Sequence, residues 1–579
     1  MAGTLTRKSS RTKVDPAANG EADAKTASAK TDTTKKDTAK KDTAKKDAVK
    51  KDTVKKATAK TTAAPAPKKA TKAKAPTTTA KTAAPKTRTK RPMTPEIEDS
   101  AEGDDSDKQP TKRARSIRTQ GSVTTTASSD DEAISEKKEK RKSAATNASS
   151  SKKTINSLPT PPEHPRPSNQ IFVWGAGNFG QFGMGPEYLD EFDKPKKNPW
   201  FEKKIEEGIF GGEGAGIESI AAGGLHSLFV DEKGTIWSCG VNDDAALGRE
   251  TKDVPDPEKE GAVMNIDILT SYPYPLQTLV DENFRAVSIA AGDSICAAVS
   301  AEGELRVWGS FRANEGSLGF SNGSKYQFTP APILDLPKDE KVSSVAAGNN
   351  HLVVLTTHGN IYTWGAGEQG QLGRKIIERR KIHGTTPEKV TLKSRSLKAV
   401  VVGAGNYTSF AVDEKGGVWG WGLNNMAQVG TGYEVLGEGV RVKSISGGEH
   451  HTLFLTSDGR VFAVGRANGG QLGIPEDNEK LKSEDFKGFI AEPVHIPFPD
   501  PASEDPVVHI SAGIHSNFAV TAAGALYAWG ESNQGELGLG DETEAKTPQV
   551  LVRKVGGSWQ AIAASCGGQH SIGLFKKKA

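Results

Sequence analysis

A short phrase returns seven times along the 579-residue chain, and no other feature constrains its folding as much. The fullest copy is AAGNNHLVVLTTHGNIYTWGAGEQGQLG, Ala346 to Gly373, and similar units begin at Ala221, Ala290, Gly403, Ser446 and Ser511. The seventh unit is split: SCGGQHSIGLF stands at 565–575, while IFVWGAGNFGQFG stands at 171–183. A pivot glycine recurs at 223, 292, 348, 405, 448, 513 and 567, which is 344 residues in six steps, or about 57 per repeat. Within a unit, runs such as LVVL and IYTW are strand-length, rich in β-formers and separated by Gly-containing turns. Sheet modules at this period, without long helical segments, predict an all-β, seven-bladed β-propeller. The split unit predicts closure: N-terminal strands complete the last blade and leave no open sheet edge. An open solenoid has no need for complementary end fragments.

Repeats allow one unit to be judged against the others. Trp174, Trp308, Trp364, Trp421 and Trp529 occupy one slot, filled by Cys239 and Val464 in the other two units, which points to blade packing rather than a cofactor. Three positions after the pivot glycine lie His226, His351, His451 and His570. Structural hydrogen bonding is their expected role, with partner contact as the alternative. The two residues directly after the pivot differ by blade: Asp293-Ser294, Asn349-Asn350, Asn406-Tyr407, Glu449-His450 and Ile514-His515. A ring of unlike polar loops at one face of a rigid scaffold suits protein binding better than reaction chemistry. One turn also departs in length. GAGNFGQFG, GVNDDAALG, GAGEQGQLG, GLNNMAQVG, GRANGGQLG and GESNQGELG run nine residues, whereas GSFRANEGSLG, Gly309 to Gly319, runs eleven. The extension is either a hairpin that inserts into a partner or a tolerated surface insertion.

No Ser/His/Asp set, paired carboxylates or phosphate-cradling loop stands out, so no covalent chemistry and no cofactor are expected. Cys239, Cys296 and Cys566 are too dispersed for a disulfide framework or a metal site. No apolar run of about 18 residues predicts a membrane span.

Charge divides the chain. Residues 1–168 hold 39 Lys+Arg and 21 Asp+Glu, a net of +18; the overall charge of +5 then leaves −13 for residues 169–579. The first segment contains no Phe, Trp or Tyr, so it has little to bury and is expected to be a disordered arm, with the propeller spanning 169–579. Its lysine pairs, among them Lys35-Lys36 and Lys40-Lys41, recur every five residues, a period that builds no apolar face. Such a chain suits phosphate backbones, DNA or chromatin, through counterion release. Basic clusters at 86–92, 111–115 (Lys112, Arg113, Arg115) and 137–142 have the form of nuclear-import signals, implying an import receptor and a nuclear address.

The repeat AGxxHxxxLxxxGxxxxWGxxxxGQLG, with AAGDSICAAV, VWGSFRANEGSLG, AAGNNHLVVL, GEQGQLGR, GGEHHTLFL and SCGGQHS, resembles the regulator of chromosome condensation family over about 171–575. Members are chromatin-bound guanine-nucleotide exchange factors for the small GTPase Ran. The resemblance implies that the long turn is a wedge pressed against Ran, formed by Ala313, Asn314, Glu315, Gly316, Ser317, Leu318, Gly319 and Phe320. It implies further Ran contacts at Asp293, Asn350, His450 and His451, and more weakly at His226, His570, Asn178 and Asn425. The family has Asp where Asn350 and Asn178 stand, and His where Ile295 stands. A basic insertion, Gly373 to Pro387, implies a second face for the nucleosome, carried by Arg379, Arg380 and Lys381. A monomer in the nucleus, on chromatin, is expected. The alternative is a chromatin-binding scaffold without exchange activity.

Overall fold

The computed structural model describes residues 154–431, 436 and 439–578. Seven sheets follow one another around an axis, as the repeat predicts. In the third blade the strands are Val342–Ala347, His351–Thr356, Ile361–Gly365 and Glu388–Val390, each antiparallel to the next. The first strand of each blade contacts the first strand of its neighbours, so these strands line the axis. The other blades span 217–275 (first), 286–331 (second), 399–422 (fourth), 442–495 (fifth) and 507–552 (sixth); the fourth has three strands among the described residues.

The seventh blade closes the ring. Trp559–Cys566 and His570–Lys577 supply its inner strands, Gln170–Ala176 and Glu191–Lys197 its outer ones, with Gln170 opposite Phe575 and Gly175 opposite His570. The segment after Gly183 reinforces this closure. Asn198 caps the helix Pro199–Glu206, its Oδ1 accepting from the N–H groups of Trp200 (2.9 Å) and Phe201 (3.3 Å). Phe201 and Phe210 then pack with Phe229 of the first blade, while the strand 191–197 belongs to the seventh.

Blade junctions share one polar device. The backbone carbonyl two residues before the end of each nine-residue turn accepts from the following blade. Indole Nε1 donors reach it from Trp174 (Glu536 O, 2.7 Å), Trp308 (Ala246 O, 2.9 Å), Trp421 (Gln371 O, 2.9 Å) and Trp529 (Gln471 O, 3.2 Å). Side chains of Ser227, Ser409, Thr452, Asn517 and Ser571 donate to the same set of carbonyls. The terminal glycine is part of the arrangement: at Gly373 φ is +64°, and a Cβ there would lie 2.9 Å from the Trp421 indole.

The repeated histidines lace the same junctions. His226 Nε2 meets Cys296 Sγ (2.9 Å), His351 meets Ser409 Oγ (2.9 Å), His451 meets Asn517 Oδ1 (2.7 Å), and His570 meets Ser227 Oγ (2.9 Å) across the closure. Their rings sit beneath the pivot loops; a Cβ on Gly348 would lie 2.1 Å from His351 Cε1. Burial pushes the imidazoles down, to about 4 for His226, His351 and His451 and about 3 for His570.

Residues 154–168, expected to belong to the disordered arm, instead form a strap over the propeller. Asn156 Nδ2 donates to Thr356 O (2.9 Å) and Ala399 O (3.0 Å), and Ser343 Oγ donates to Ser157 O (2.6 Å). His164 meets Glu218, and Arg166 forms a two-pronged bond to Glu232 at 2.7 and 2.9 Å. The strap thus touches the fourth, third and first blades before entering the seventh. Lys35, Lys36, Lys40, Lys41, Lys112, Arg113 and Arg115 lie outside the described residues. Among the described residues, no helix is long and apolar enough to cross a membrane.

Candidate functional site

In an antiparallel blade the first and third strands run in parallel, so the pivot loops and the glycine turns emerge at one face. That geometry gathers Asp293, Asn350 and His450 from pivot loops with Asn178, Asn425 and the eleven-residue turn. Backbone bonds hold the pivot loops to each other: Asp293 N–H donates to Asn349 O (2.8 Å), Asn349 N–H to Asn406 O (3.1 Å) and Asn406 N–H to Gly448 O (3.0 Å). They surround a narrow axial cavity of about 110 Å³. The face is rigid by construction.

The long turn is a hairpin. Arg312–Ala313 pairs with Gly316–Ser317, and Asn314 and Glu315 form its exposed tip. Beneath it Phe311 is fully buried and packs against Phe320, the rings tilted at 55° with a centroid distance of 5.1 Å. The hairpin is fastened at base and tip. Asn350 Oδ1 accepts from Arg312 N–H at 2.9 Å, a bond that needs an acceptor and no charge, so Asn serves where the family has Asp. The Arg312 guanidinium lies 3.4 Å from Asp244 and 3.9 Å from Asp293. At the tip, Glu368 Oε2 accepts from Asn314 N–H at 3.1 Å. Burial raises the Asp293 carboxyl above its ordinary range; Arg312 opposes the shift and Asp244 adds to it. On the other side of the axis, His450 Nδ1 lies 3.6 Å from Glu449, which His515 also approaches at 3.9 Å. Burial lowers the His450 pKa, while Glu449 opposes the shift.

The hairpin changes the junction it stands on. Ser317 occupies the place where other turns offer their carbonyl, but it is a hairpin strand residue, and Trp364 Nε1 has no protein acceptor. The remaining polar partners are replaced together. Ile295 stands in the histidine slot and Leu352 in the receiving slot, both packed with Phe311 and Trp364 in one apolar cluster. Leaving an indole N–H unmet costs about 1–3 kcal/mol, and burying Phe311 offsets about 1.5–3 kcal/mol.

Several expected contacts need correction. His226, His451 and His570 are 0–1% exposed and bonded to the next blade, so they shape the loops above them and are not on the exposed surface. Gly319 and Phe320 are buried, which makes them the root of the hairpin and not its contact surface. Lys381 is not a free cation: its side chain is 14% exposed and its ammonium is held by Glu315, Glu368 and Glu378. Through Lys381 the insertion 373–387 is tied to the hairpin tip. Arg379 and Arg380 are exposed, as are Asn178 and Asn425. The sequence reading missed Asp244 and Glu368. Asp244 and Glu368 lie in glycine turns of ordinary length, and only their proximity to the hairpin marks them.

Comparison with known proteins agrees with this architecture. The model for the RCC1-like domain matches residues 170–573. Protein pim1 of Schizosaccharomyces pombe is 37% identical over 439 residues, covering 72% of this chain and 76% of that protein. The guanine nucleotide exchange factor SRM1 of Saccharomyces cerevisiae is 32% identical, covering 69% and 86%. The regulator of chromosome condensation of Xenopus laevis is 32% identical, covering 74% and 95%. Among solved structures, Prp20p from Saccharomyces cerevisiae, described with its binding properties to Gsp1p and histones, superimposes with a TM-score of 0.62 at 29% identity, covering 72% and 93%. The closed seven-bladed ring, its repeats and these matches place the chain in the RCC1-like domain family.

Proposed function

We propose that this protein is a guanine-nucleotide exchange factor for a Ran-type small GTPase, held at chromatin in the nucleus. One observation carries the reading: of the seven glycine turns, the one that departs in length is a braced hairpin, on the same face as Asp293, Asn350 and His450. The relative named as an exchange factor supplies the reaction class. Gsp1p and histone binding by the yeast protein of similar structure supports the GTPase and chromatin as partners. The basic clusters of residues 1–153 support DNA and an import receptor as further partners.

The chain's part is binding, without a bond made or broken in the protein. A GTPase grips its nucleotide through a phosphate loop and Mg²⁺. A face that prefers the empty GTPase to the loaded one must, by linkage, weaken nucleotide binding by the same factor. The hairpin tip and Asp293 are the groups placed to displace the phosphate- and metal-holding elements, and abundant GTP then sets the direction. The negative charge of residues 169–579 favours approach of a basic partner surface.

Release of a labelled guanine nucleotide from Ran tests the reading. The protein should accelerate release, and removal of Asn314–Ser317 or the substitution Asp293→Ala should slow it strongly while the fold persists. Unchanged release with the intact protein leaves only the scaffold alternative.

A further inference from the structure

The ammonium of Lys381 is the meeting point of three carboxylates from two blades. Its Nζ lies 2.6 Å from Glu368 Oε1, 2.6 Å from Glu378 Oε1 and 2.9 Å from Glu315 Oε2. An ammonium has three N–H donors, and each has an acceptor here. Glu368 is the hub of the arrangement. With one oxygen it takes Lys381, and with the other it takes the backbone N–H of Asn314 at the hairpin tip. Its side chain is 13% exposed, whereas Glu315 and Glu378 are each 76% exposed. The hairpin belongs to the second blade and Glu368 to the third, so Lys381 joins the two across the apolar junction described above.

We propose that Lys381 is a positioning residue for the exchange reaction, holding the hairpin tip at Asn314 and Glu315 in the orientation that meets the GTPase. This rests on the exchange function proposed above. The electrostatics explain why one cation matters. Without it, Glu315, Glu368 and Glu378 face each other as like charges, and the half-enclosed Glu368 loses its counter-charge. Glu315 is exposed at the hairpin tip, so its repulsion from Glu368 turns the tip outward. The base of the hairpin stays put, because Phe311, Phe320 and the bond from Arg312 N–H to Asn350 do not involve Lys381. Loss of Lys381 therefore misorients the tip without unfolding the blade. The strong elevation of the Lys381 pKa by its bonds to Glu368, Glu378 and Glu315 is consistent with a cation present at all physiological pH values.

The test measures steady-state nucleotide release from Ran by the full chain and its variants, with hydrogen exchange at the Asn314 amide and the melting temperature recorded alongside. For Lys381→Ala, kcat should fall by about tenfold with a smaller change in KM, below the roughly hundredfold penalty that a full 1 Å misplacement can carry. The Asn314 amide should lose protection while the melting temperature stays within about 1 °C. Lys381→Arg keeps the charge and should stay within about twofold of the intact protein. Adding Glu315→Gln to Lys381→Ala removes one repelling charge and should recover part of the loss. Lys381→Ala with full kcat and a protected Asn314 amide would overturn the brace. So would strictly additive effects in the double variant, or an Arg variant as slow as the Ala one. An intact protein that fails to speed release sinks the exchange function itself, which is a different result from an active intact protein whose Lys381 variants match it.

Discussion

The junction between the second and third blades differs from the one between the third and fourth in almost every polar detail. In the latter, the carbonyl of Gln371 accepts from both Trp421 and Ser409, and His351 meets the same Ser409. In the former, Trp364 has no acceptor, and Ile295 and Leu352 meet as hydrocarbons around Phe311. The laced seam is directional; the apolar one is held by close packing around Phe311, and its side-chain bonds lie at the hairpin above, from Arg312 to Asn350 and from Asn314 to Glu368. The difference teaches that the long turn and the junction beneath it form one packed unit. Where the turn is longer its carbonyl is not offered to Trp364, and the slots that elsewhere hold polar partners hold Ile295 and Leu352.

Acid should separate the two kinds of seam most forcefully. His226, His351, His451 and His570 have folded-state pKa values pushed down to about 4, 4, 4 and 3. The unfolded chain therefore binds more protons between that range and about 6.5, so the stabilisation is complete above 6.5 and lost as pH falls toward 4. With four such groups the loss approaches about 5 kcal/mol per pH unit at its steepest. Unfolding followed against pH should show this slope, and His351→Gln, which keeps a hydrogen-bonding side chain opposite Ser409, should reduce it by about a quarter. A flat profile between pH 6.5 and 4.5 would show that the laced histidines titrate normally.

The apolar seam has a different weak point. Phe311→Ala should cost about 3–5 kcal/mol in denaturant unfolding, because the cavity has no polar lacing to limit it. A cost below about 1 kcal/mol would mean that the seam does not depend on this ring. The finest comparison is between tryptophans. Trp308→Phe breaks a bond to Ala246 O, whereas Trp364→Phe removes a donor that has no acceptor. The first should be costlier by about 1 kcal/mol. Equal costs would erase the distinction between the seams.

How much of this was visible beforehand follows from range. The blades, the closure and the structural character of the histidines were legible because each recurs, and recurrence separates architecture from exception. Ile295 was visible as a departure, but its pairing with Leu352 was not, since it depends on which slot of one blade faces which slot of the next. The strap escaped notice because its bonds join residues far apart in sequence, such as Asn156 and Ala399, and nothing periodic announces them. Lys381 looked like one more exposed cation in a basic run. Only the fold shows that Glu315 and Glu368 wait on either side of it.

The strap has a mechanical corollary. Thr154, its first described residue, lies next to Ile155, whose N–H bonds to Thr357 in a hairpin at the rim opposite the wedge. Tension applied to upstream residues is therefore delivered to the rear of the disc, where Asn156 and then Arg166 act as successive anchors. The face that carries the long hairpin lies away from these anchors, so a pull on the leading segment is taken up first by bonds that the hairpin does not share.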